Sequence, residues 1–159
     1  MVVSEKIMFD SSVLLKIHTK KNSPPLLEMV LLKFEPLVSE ITLYEYLSTK
    51  AALGKDPYKQ LLILKEMYQI LPLDEKIIVK ASVITGKLLR KRVKLHTNDV
   101  LVGVTAIVHD ALLVVDEPGR YKPLRKYGLD LIDFNSFARE MEHLAEDFTE
   151  SKETQGGVY

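Results

Sequence analysis

The sequence predicts an α/β protein built on a largely parallel sheet. Short apolar runs alternate along the chain with longer segments in which apolar residues recur at helical spacing. Most of the short runs are bounded by Asp, Pro, Gly or Ser, residues that commonly flank strands. Strands that alternate with helices indicate that each helix is a crossover between parallel strands.

The predicted elements follow from these patterns in chain order. Five short apolar runs predict buried strands: KIMF (6–9), LVS (37–39), QILP (69–72), LLVV (112–115) and LDLI (129–132). Seven segments predict helices, at residues 12–18, 24–34, 43–52, 57–68, 74–92, 98–110 and 135–148. Two of the helices open on proline, which the first helical turn accepts because its N–H groups have no helical partner.

Composition excludes several classes of protein and of site. The chain has 159 residues, of which 47% are hydrophobic and 28% charged, as in an ordinary globular domain. Its 22 basic and 22 acidic residues cancel, so net charge indicates neither a nucleic-acid nor a membrane partner. The absence of cysteine excludes disulfide scaffolds, thiolate zinc sites and cysteine nucleophiles. We expect one cytoplasmic domain over residues 1–149, without a signal peptide, and a disordered tail over 150–159.

The heptapeptide ITLYEYL, residues 41–47, has two interpretations. Thr42 and Glu45 have the spacing of a capping box, in which the hydroxyl and the carboxylate satisfy free N–H groups at a helix start. Alternatively, Glu45 is one of several acids that converge on a metal ion. The positions of the other acids decide between these interpretations.

Four acids are predicted to lie at the same edge of the sheet. Asp10 follows the first predicted strand and Asp116 follows the fourth. Glu45 lies in the first turn of the helix after the second strand, and Asp99 lies at the head of the helix that leads into the fourth. Because ligands of open parallel sheets bind beyond the carboxyl ends of the strands, these acids can form one site.

Each acid also has a structural explanation when it is considered alone, as a helix cap, a turn residue or a first-turn acid. Together they are harder to explain, because two carboxylates about 5 Å apart repel by roughly 3 kcal/mol at an effective dielectric of 20. Such a cluster requires bound protons or a cation. Oxygen ligands without cysteine suit Mg²⁺ or Mn²⁺.

Four segments resemble, in order, the motifs of PIN domains, especially VapC-type toxins and their archaeal relatives. These segments are FDSSVLLKI, SEITLYEYL, HTNDVLVGVTAIVHDALLVVDE and YGLDLIDF, and the similarity covers about residues 6–134. The resemblance implies a three-layer α/β/α fold whose five-stranded, mostly parallel sheet has the strand order 3-2-1-4-5. It also implies an endoribonuclease dependent on Mg²⁺ or Mn²⁺, in which Asp10, Glu45, Asp99 and Asp116 hold the metal and carry the catalysis.

The same resemblance implies partners. Family members act on RNA, often pair with a small antitoxin that plugs the site, and commonly form homodimers; no membrane partner is expected. One position departs from the family pattern, because Val114 stands where a Thr or Ser is frequent. This departure favours one alternative function, a catalytically silent PIN-like module that binds RNA or serves as a scaffold. A non-toxin nuclease that processes RNA is a second alternative, because the sequence does not separate it from a toxin.

Two basic segments are candidate RNA contacts, because neutralising phosphates dominates affinity for nucleic acids. The segment KLLRKRVKLH, residues 87–96, contains Lys91 and Arg92 among its cations, although complementing the dipole of a long helix is the favoured explanation there. The second segment follows Asp116 and contains Arg120, Lys122 and Arg125. It is the better candidate because it lies nearer the acids, although a solvated loop would have the same composition.

Overall fold

The computed structural model of the protein describes residues 5–19 and 24–155. The strands are β1 (Lys6–Phe9), β2 (Glu35–Ser39), β3 (Gln69–Leu71), β4 (Leu112–Val115) and β5 (Asp130–Asp133). The helices are α1 (Ser11–Thr19), α2 (Pro24–Lys33), α3 (Glu40–Ala52), α4 (Pro57–Met67), α5 (Glu75–Arg90), α6 (Thr97–Val108) and α7 (Phe134–Gln155). Between β4 and β5 lie a first 3₁₀ helix, Pro118–Arg120, and a second 3₁₀ helix, Lys122–Tyr127.

The five strands form one sheet in the order β3-β2-β1-β4-β5, and every neighbouring pair is parallel. Met8, in the central strand β1, pairs in register with Leu37 of β2 and Leu113 of β4. The carboxyl ends of all five strands therefore lie at one edge. The predicted fold class and strand order are confirmed.

Helices cover both faces of the sheet and create two hydrophobic cores. Because side chains alternate along a strand, Ile7 and Phe9 face one core and Met8 faces the other. The core that contains Phe9 is closed by α1, α2, α3, α4 and α7, and the core that contains Met8 by α5, α6 and the 3₁₀ helices. The expected three layers are present.

Helix α6 and the second 3₁₀ helix approach each other closely at Gly103. A Cβ atom added to Gly103 would overlap Cδ1 of Leu124, a side chain that is fully buried. Asp99 precedes Gly103 by about one helical turn, and Arg120 precedes Leu124 by the same number of residues. The glycine therefore lets the segment that carries Arg120 lie against the start of α6.

Helix α7 is longer than the sequence pattern indicates. It continues to Gln155, so the expectation of a disordered tail is wrong for residues 150–155, and residues 156–159 lie outside the described residues. Glu, Lys and Gln are good helix formers, and no Gly or Pro occurs between Phe134 and Gly156. Local helix propensity thus extends α7 without the apolar periodicity on which the prediction relied.

No helix in the described part of the chain is long and apolar enough to cross a membrane.

Candidate active site

The structure places all four predicted acids at the edge where the strands have their carboxyl ends. Asp10 directly follows β1, and Asp116 directly follows β4. Helix α3, which carries Glu45, starts immediately after β2, and Asp99 lies in the first turn of α6. Asp10, Asp99 and Glu45 all affect the pKa of one side chain, Tyr121, so the acids lie around a common centre.

Asp10 is buried and held in place by the backbone. Its Oδ1 accepts a hydrogen bond from the N–H of Val13 at 3.0 Å, which caps the start of α1. Its own N–H donates to the carbonyl oxygen of Val114 at 3.2 Å and so ties the loop after β1 to β4. The carboxylate therefore has a defined position at the centre of the sheet edge.

Glu45 does not belong to a capping box. Helix α3 begins three residues earlier than predicted, and its N-cap is Ser39, whose Oγ accepts a hydrogen bond from the N–H of Thr42 at 3.0 Å. Thr42 is itself inside the helix and accepts a hydrogen bond at its Oγ1 from Ser39 Oγ. The capping interpretation of Thr42 and Glu45 is thus wrong, because the serine at the end of β2 already performs that role. Glu45 lies more than one turn into α3 and is half-buried.

Asp99 forms a bidentate ion pair with Arg120. Arg120 donates from Nη2 to Oδ1 at 2.7 Å and from Nε to Oδ2 at 3.1 Å. The Asp99 side chain is only 4% exposed, whereas that of Arg120 is 40% exposed. A bidentate pair of this kind satisfies both carboxylate oxygens of a buried acid.

Asp116 is paired with a cation from a different element. The Nζ of Lys16, in α1, donates to Oδ1 of Asp116 at 2.6 Å. Val114, two residues earlier, is fully buried in the core that also contains Phe9. Its side chain contributes packing where the family commonly has a hydroxyl group.

The acids perturb one another electrostatically. The pKa of Asp10 is raised to about 6. Burial is the largest cause, the nearby Asp116 and Glu45 add to the rise, and the Val13 N–H and Arg120 oppose it. Burial also raises the pKa of Glu45, with a contribution from Asp99. Carboxylates with raised pKa values in one place are typical of functional sites, because each negative charge is costly there until a cation neutralises it.

The donor atoms of these four acids fit a hard divalent cation, because all of them are carboxylate oxygens. Their present arrangement is less suitable, since the described residues contain no group of three or more His, Asp or Glu side chains placed to hold an ion. Two of the carboxylates are instead paired with Arg120 and Lys16. Each cation occupies a carboxylate that the sequence analysis assigns to the metal. A metal ion at this site would have to displace one or both of them.

Sequence reasoning missed three residues of the site. Lys16 pairs with Asp116, Asn98 donates a side-chain hydrogen bond to Glu45, and Tyr121 is buried beside the acids. Burial raises the pKa of Tyr121, and the charges of Asp10 and Asp99 raise it further, so its hydroxyl stays protonated. Tyr121 is adjacent in sequence to Arg120, which was a usable signal. Lys16 gave none, because its pairing depends on how α1 lies against β4.

The candidate RNA contacts differ in their surroundings. Arg120 lies in the acidic site, Lys122 is exposed, and Arg125 donates from Nη2 to the carbonyl oxygen of Leu131 at 3.2 Å. Arg125 therefore has a structural partner in β5. Lys91 and Arg92 are exposed at the end of α5. They are distant from Arg120 along the sequence.

Comparison with known families decides the identity of the fold. The sequence model of the PIN domain matches residues 7–117, which include all four acids. The chain belongs to the PIN domain family. The resemblance seen in the sequence motifs is thereby confirmed.

Individual relatives of this PIN domain support the same assignment. The chain is 39% identical over 140 residues to a VapC ribonuclease of Pyrococcus furiosus, and the match covers 88% of this chain and 93% of that protein. Among solved structures, VapBC2 of Rickettsia felis bound to a promoter DNA fragment has a TM-score of 0.67 at 20% identity, covering 80% of this chain and 98% of that one. VapBC-1 of nontypeable Haemophilus influenzae has a TM-score of 0.65 at 18% identity, covering 81% and 98%. These two structural similarities concern the fold.

Proposed function

We propose that this PIN domain is a cytoplasmic endoribonuclease that hydrolyses RNA phosphodiesters with Mg²⁺ or Mn²⁺, as the toxin of a toxin–antitoxin pair. The observation that supports it best is the convergence of Asp10, Glu45, Asp99 and Asp116 at the carboxyl edge of the sheet. The extensive similarity to a VapC ribonuclease supports the choice of RNA as substrate.

In this proposal the four carboxylates hold the divalent cation, directly or through water. Bound there, the cation supplies Lewis acidity toward the attacking water and charge stabilisation at the phosphate. The raised pKa of Asp10 supports the proposal, because a buried acid surrounded by other acids gains most from a cation.

The remaining residues of the site have distinct roles in this proposal. The Val13 N–H fixes the orientation of Asp10, and Tyr121 is buried beside the acids as a protonated hydroxyl group. Lys16 and Arg120 place two positive charges beside the acids, where a bound phosphodiester needs them. Once displaced from their carboxylates, both side chains can contact phosphate oxygens.

An antitoxin and a second copy of the chain are the proposed protein partners. One solved structure of similar fold, from Klebsiella pneumoniae, is that of a toxin–antitoxin complex. Helices α3 and α4 and the C-cap residue of α3 carry a set of exposed large apolar side chains: Tyr44, Leu53, Tyr58, Leu62 and Ile63. Apolar groups concentrated on neighbouring helices are a common sign of a protein interface.

A catalytically silent PIN module is the second candidate. The pairing of Arg120 with Asp99 favours it, because a permanent guanidinium on this acid would exclude a metal ion. A non-toxin nuclease that processes RNA differs from the toxin only in its substrate and partner.

The experiment is cleavage of a mixed panel of single-stranded and hairpin RNAs with Mn²⁺ or with EDTA, using the wild type, Asp10→Asn and Asp130→Asn. Asp130 is an exposed acid at the start of β5, so its replacement is a matched control. We expect cleavage only with the ion, its loss in Asp10→Asn and its retention in Asp130→Asn.

Controls complete the test. Asp10→Asn should unfold at a higher urea concentration than the wild type, because it removes a buried carboxyl group whose pKa is raised to about 6.

Growth arrest on expression, relieved by the product of a neighbouring gene, would identify a toxin. Metal-independent cleavage, or equal cleavage by Asp10→Asn and the wild type, would exclude the proposed mechanism.

A further inference from the structure

The end of α5 and the second 3₁₀ helix form a basic pocket of about 510 Å³. It is lined by Lys87, Arg90, Lys91, Lys126 and Tyr127, and we call it the α5 basic pocket. The two segments that supply these residues are far apart in the sequence, and folding brings their positive charges together. None of the lining residues is an acid.

Helix stabilisation explains only part of this arrangement. Lys87 and Arg90 lie in the last turn of α5, where cations complement the helix dipole. That interaction gives no reason for Lys126 to lie beside them. None of the four cations forms a salt bridge with a carboxylate in the part of the chain whose side chains are described. The pocket therefore concentrates positive charge that an anionic ligand would neutralise.

Arg92 adds an independent observation at the same end of α5. Its N–H donates to the carbonyl oxygen of Leu89, and the N–H of Val93 donates to that of Leu88, which together form a Schellman motif. Arg92 has a φ of 60°, in the left-handed region that glycine adopts at the equivalent position, Gly54, after α3. An arginine in this conformation is strained, and strain at such a position is commonly associated with function.

Tyr127 gives the pocket an aromatic surface. Its ring is half-buried, and Nζ of Lys126 lies 5.2 Å from the ring centroid. Proteins that bind single-stranded nucleic acids combine a basic track for the backbone with aromatic rings on which bases stack. An acidic protein segment would use the cations alone, so the tyrosine favours a nucleic acid.

We propose that the α5 basic pocket binds single-stranded RNA, with phosphates on Lys87, Arg90, Lys91 and Lys126 and a base against Tyr127. This inference rests on the proposed function, because it concerns the same RNA substrate. Arg120 in the acidic site and Lys126 in the pocket are six residues apart, so their Cα atoms are at most about 21 Å apart. About six stacked nucleotides span that distance at a rise of about 3.4 Å each.

The test measures RNA affinity without cleavage. The full-length protein with Asp10→Asn is titrated, in EDTA, into a fluorescein-labelled mixed-sequence 20-nucleotide single-stranded RNA, and anisotropy is recorded between 50 and 200 mM NaCl. The pocket variant adds Lys87→Gln, Lys91→Gln and Lys126→Gln. The control variant adds Lys59→Gln, Lys65→Gln and Lys80→Gln, three exposed lysines outside the pocket. Circular dichroism confirms that both variants are folded.

We expect the pocket variant to lose at least tenfold in affinity at 100 mM NaCl, and the control less than threefold. The slope of log affinity against log salt should fall by about 2 in the pocket variant, since three phosphate contacts are lost at about 0.7 each. Tyr127→Ala should weaken binding at least fivefold, whereas Tyr127→Phe should retain it. Equal affinities of pocket and control variants, or tighter binding of a polyglutamate peptide than of RNA, would overturn the inference.

Failure of this inference is distinguishable from failure of the proposed function. If the wild type cleaves RNA with Mn²⁺ and the pocket variant binds like the control, only the pocket assignment fails. If the wild type does not cleave but RNA binding depends on the pocket, only the nuclease proposal fails.

Discussion

Arg120 donates two hydrogen bonds to the buried carboxylate of Asp99, at 2.7 and 3.1 Å. The repulsion expected from four clustered acids is therefore relieved in part by a side chain of the same protein. Lys16 does the same for Asp116. Because a guanidinium and a divalent cation cannot use the same carboxylate oxygens together, the Arg120–Asp99 pair should compete with metal binding.

The first prediction concerns this competition. Arg120→Gln should bind Mn²⁺ at least fivefold more tightly than the wild type, because Asp99 becomes available without the cost of breaking an ion pair. Titration followed by the electron paramagnetic resonance signal of free Mn²⁺ measures the affinity. Lys122→Gln, an exposed cation two residues away, should leave it unchanged and serves as the control.

Stability gives a second readout of the same variant. Without metal, Arg120→Gln should lower the free energy of unfolding by about 3 kcal/mol, because it leaves a buried carboxylate unpaired. Mn²⁺ at a hundred times its dissociation constant should restore about 2.7 kcal/mol. Unchanged or weaker Mn²⁺ binding by Arg120→Gln would show that the arginine does not compete with the metal.

A second prediction tests the close contact between α6 and the second 3₁₀ helix. Gly103→Ala should destabilise the protein by about 1–3 kcal/mol, since the new methyl group must displace the fully buried Leu124. The matched control is Gly86→Ala, in the interior of α5, where a Cβ meets nothing within 4 Å. It should stabilise by up to about 1 kcal/mol, the difference in helix propensity. Urea denaturation measures both, and a Gly103→Ala variant as stable as Gly86→Ala would contradict the packing argument.

Much of the site could be predicted from the sequence because it depends on local signals. The rest could not, because it depends on contacts between distant segments. Strand positions and acid positions are local signals, so Asp10 and Asp116 could be assigned to one sheet edge from the runs that precede them. The cap of α3 was misassigned because Ser39 and Thr42 both suit an N-cap, and only the end of β2 decides between them. The Lys16–Asp116 pair and the α5 basic pocket join distant segments, and no local pattern specifies such contacts.

The third prediction uses two positions with the same backbone conformation. Arg92 and Asp110 both have positive φ, and both follow the end of a helix. Replacing Arg92 with glycine should stabilise the protein by about 1 kcal/mol, because glycine adopts this conformation without a Cβ clash. Asp110→Gly should gain less, since aspartate tolerates the left-handed region better than arginine does.

RNA affinity separates the two variants functionally. If Arg92 extends the basic end of α5, Arg92→Gly should weaken RNA binding severalfold despite its greater stability, whereas Asp110→Gly should not. Thermal unfolding and the anisotropy titration described above provide the two measurements. A loss of stability in Arg92→Gly would show that its backbone is not strained.

The fourth prediction concerns pH and a polar cluster on the opposite side of the sheet from α5. His18 Nε2 lies 2.8 Å from the Tyr68 hydroxyl, its ring contacts Tyr46 edge-on, and the buried Lys50 is nearby. Burial and the charge of Lys50 lower the pKa of His18 from 6.5 to about 4. Between these two pH values the unfolded chain binds a proton that the folded protein excludes. The contribution of His18 to stability is therefore complete above pH 6.5 and is lost as pH falls toward 4.

This loss should amount to about 2 kcal/mol, after allowing for the partial exposure of the ring. Urea unfolding of the wild type, His18→Gln and His143→Gln at pH 7.5 and 4.5 isolates the effect. Glutamine can still bond to Tyr68 but does not titrate, whereas His143 is 79% exposed. The free energy of unfolding of His18→Gln minus that of the wild type should therefore be about 2 kcal/mol larger at pH 4.5 than at pH 7.5. Other groups that titrate in this range, Asp10 among them, cancel in that comparison. Equal pH dependence of the wild type and His18→Gln would show that His18 is not kept neutral by the fold.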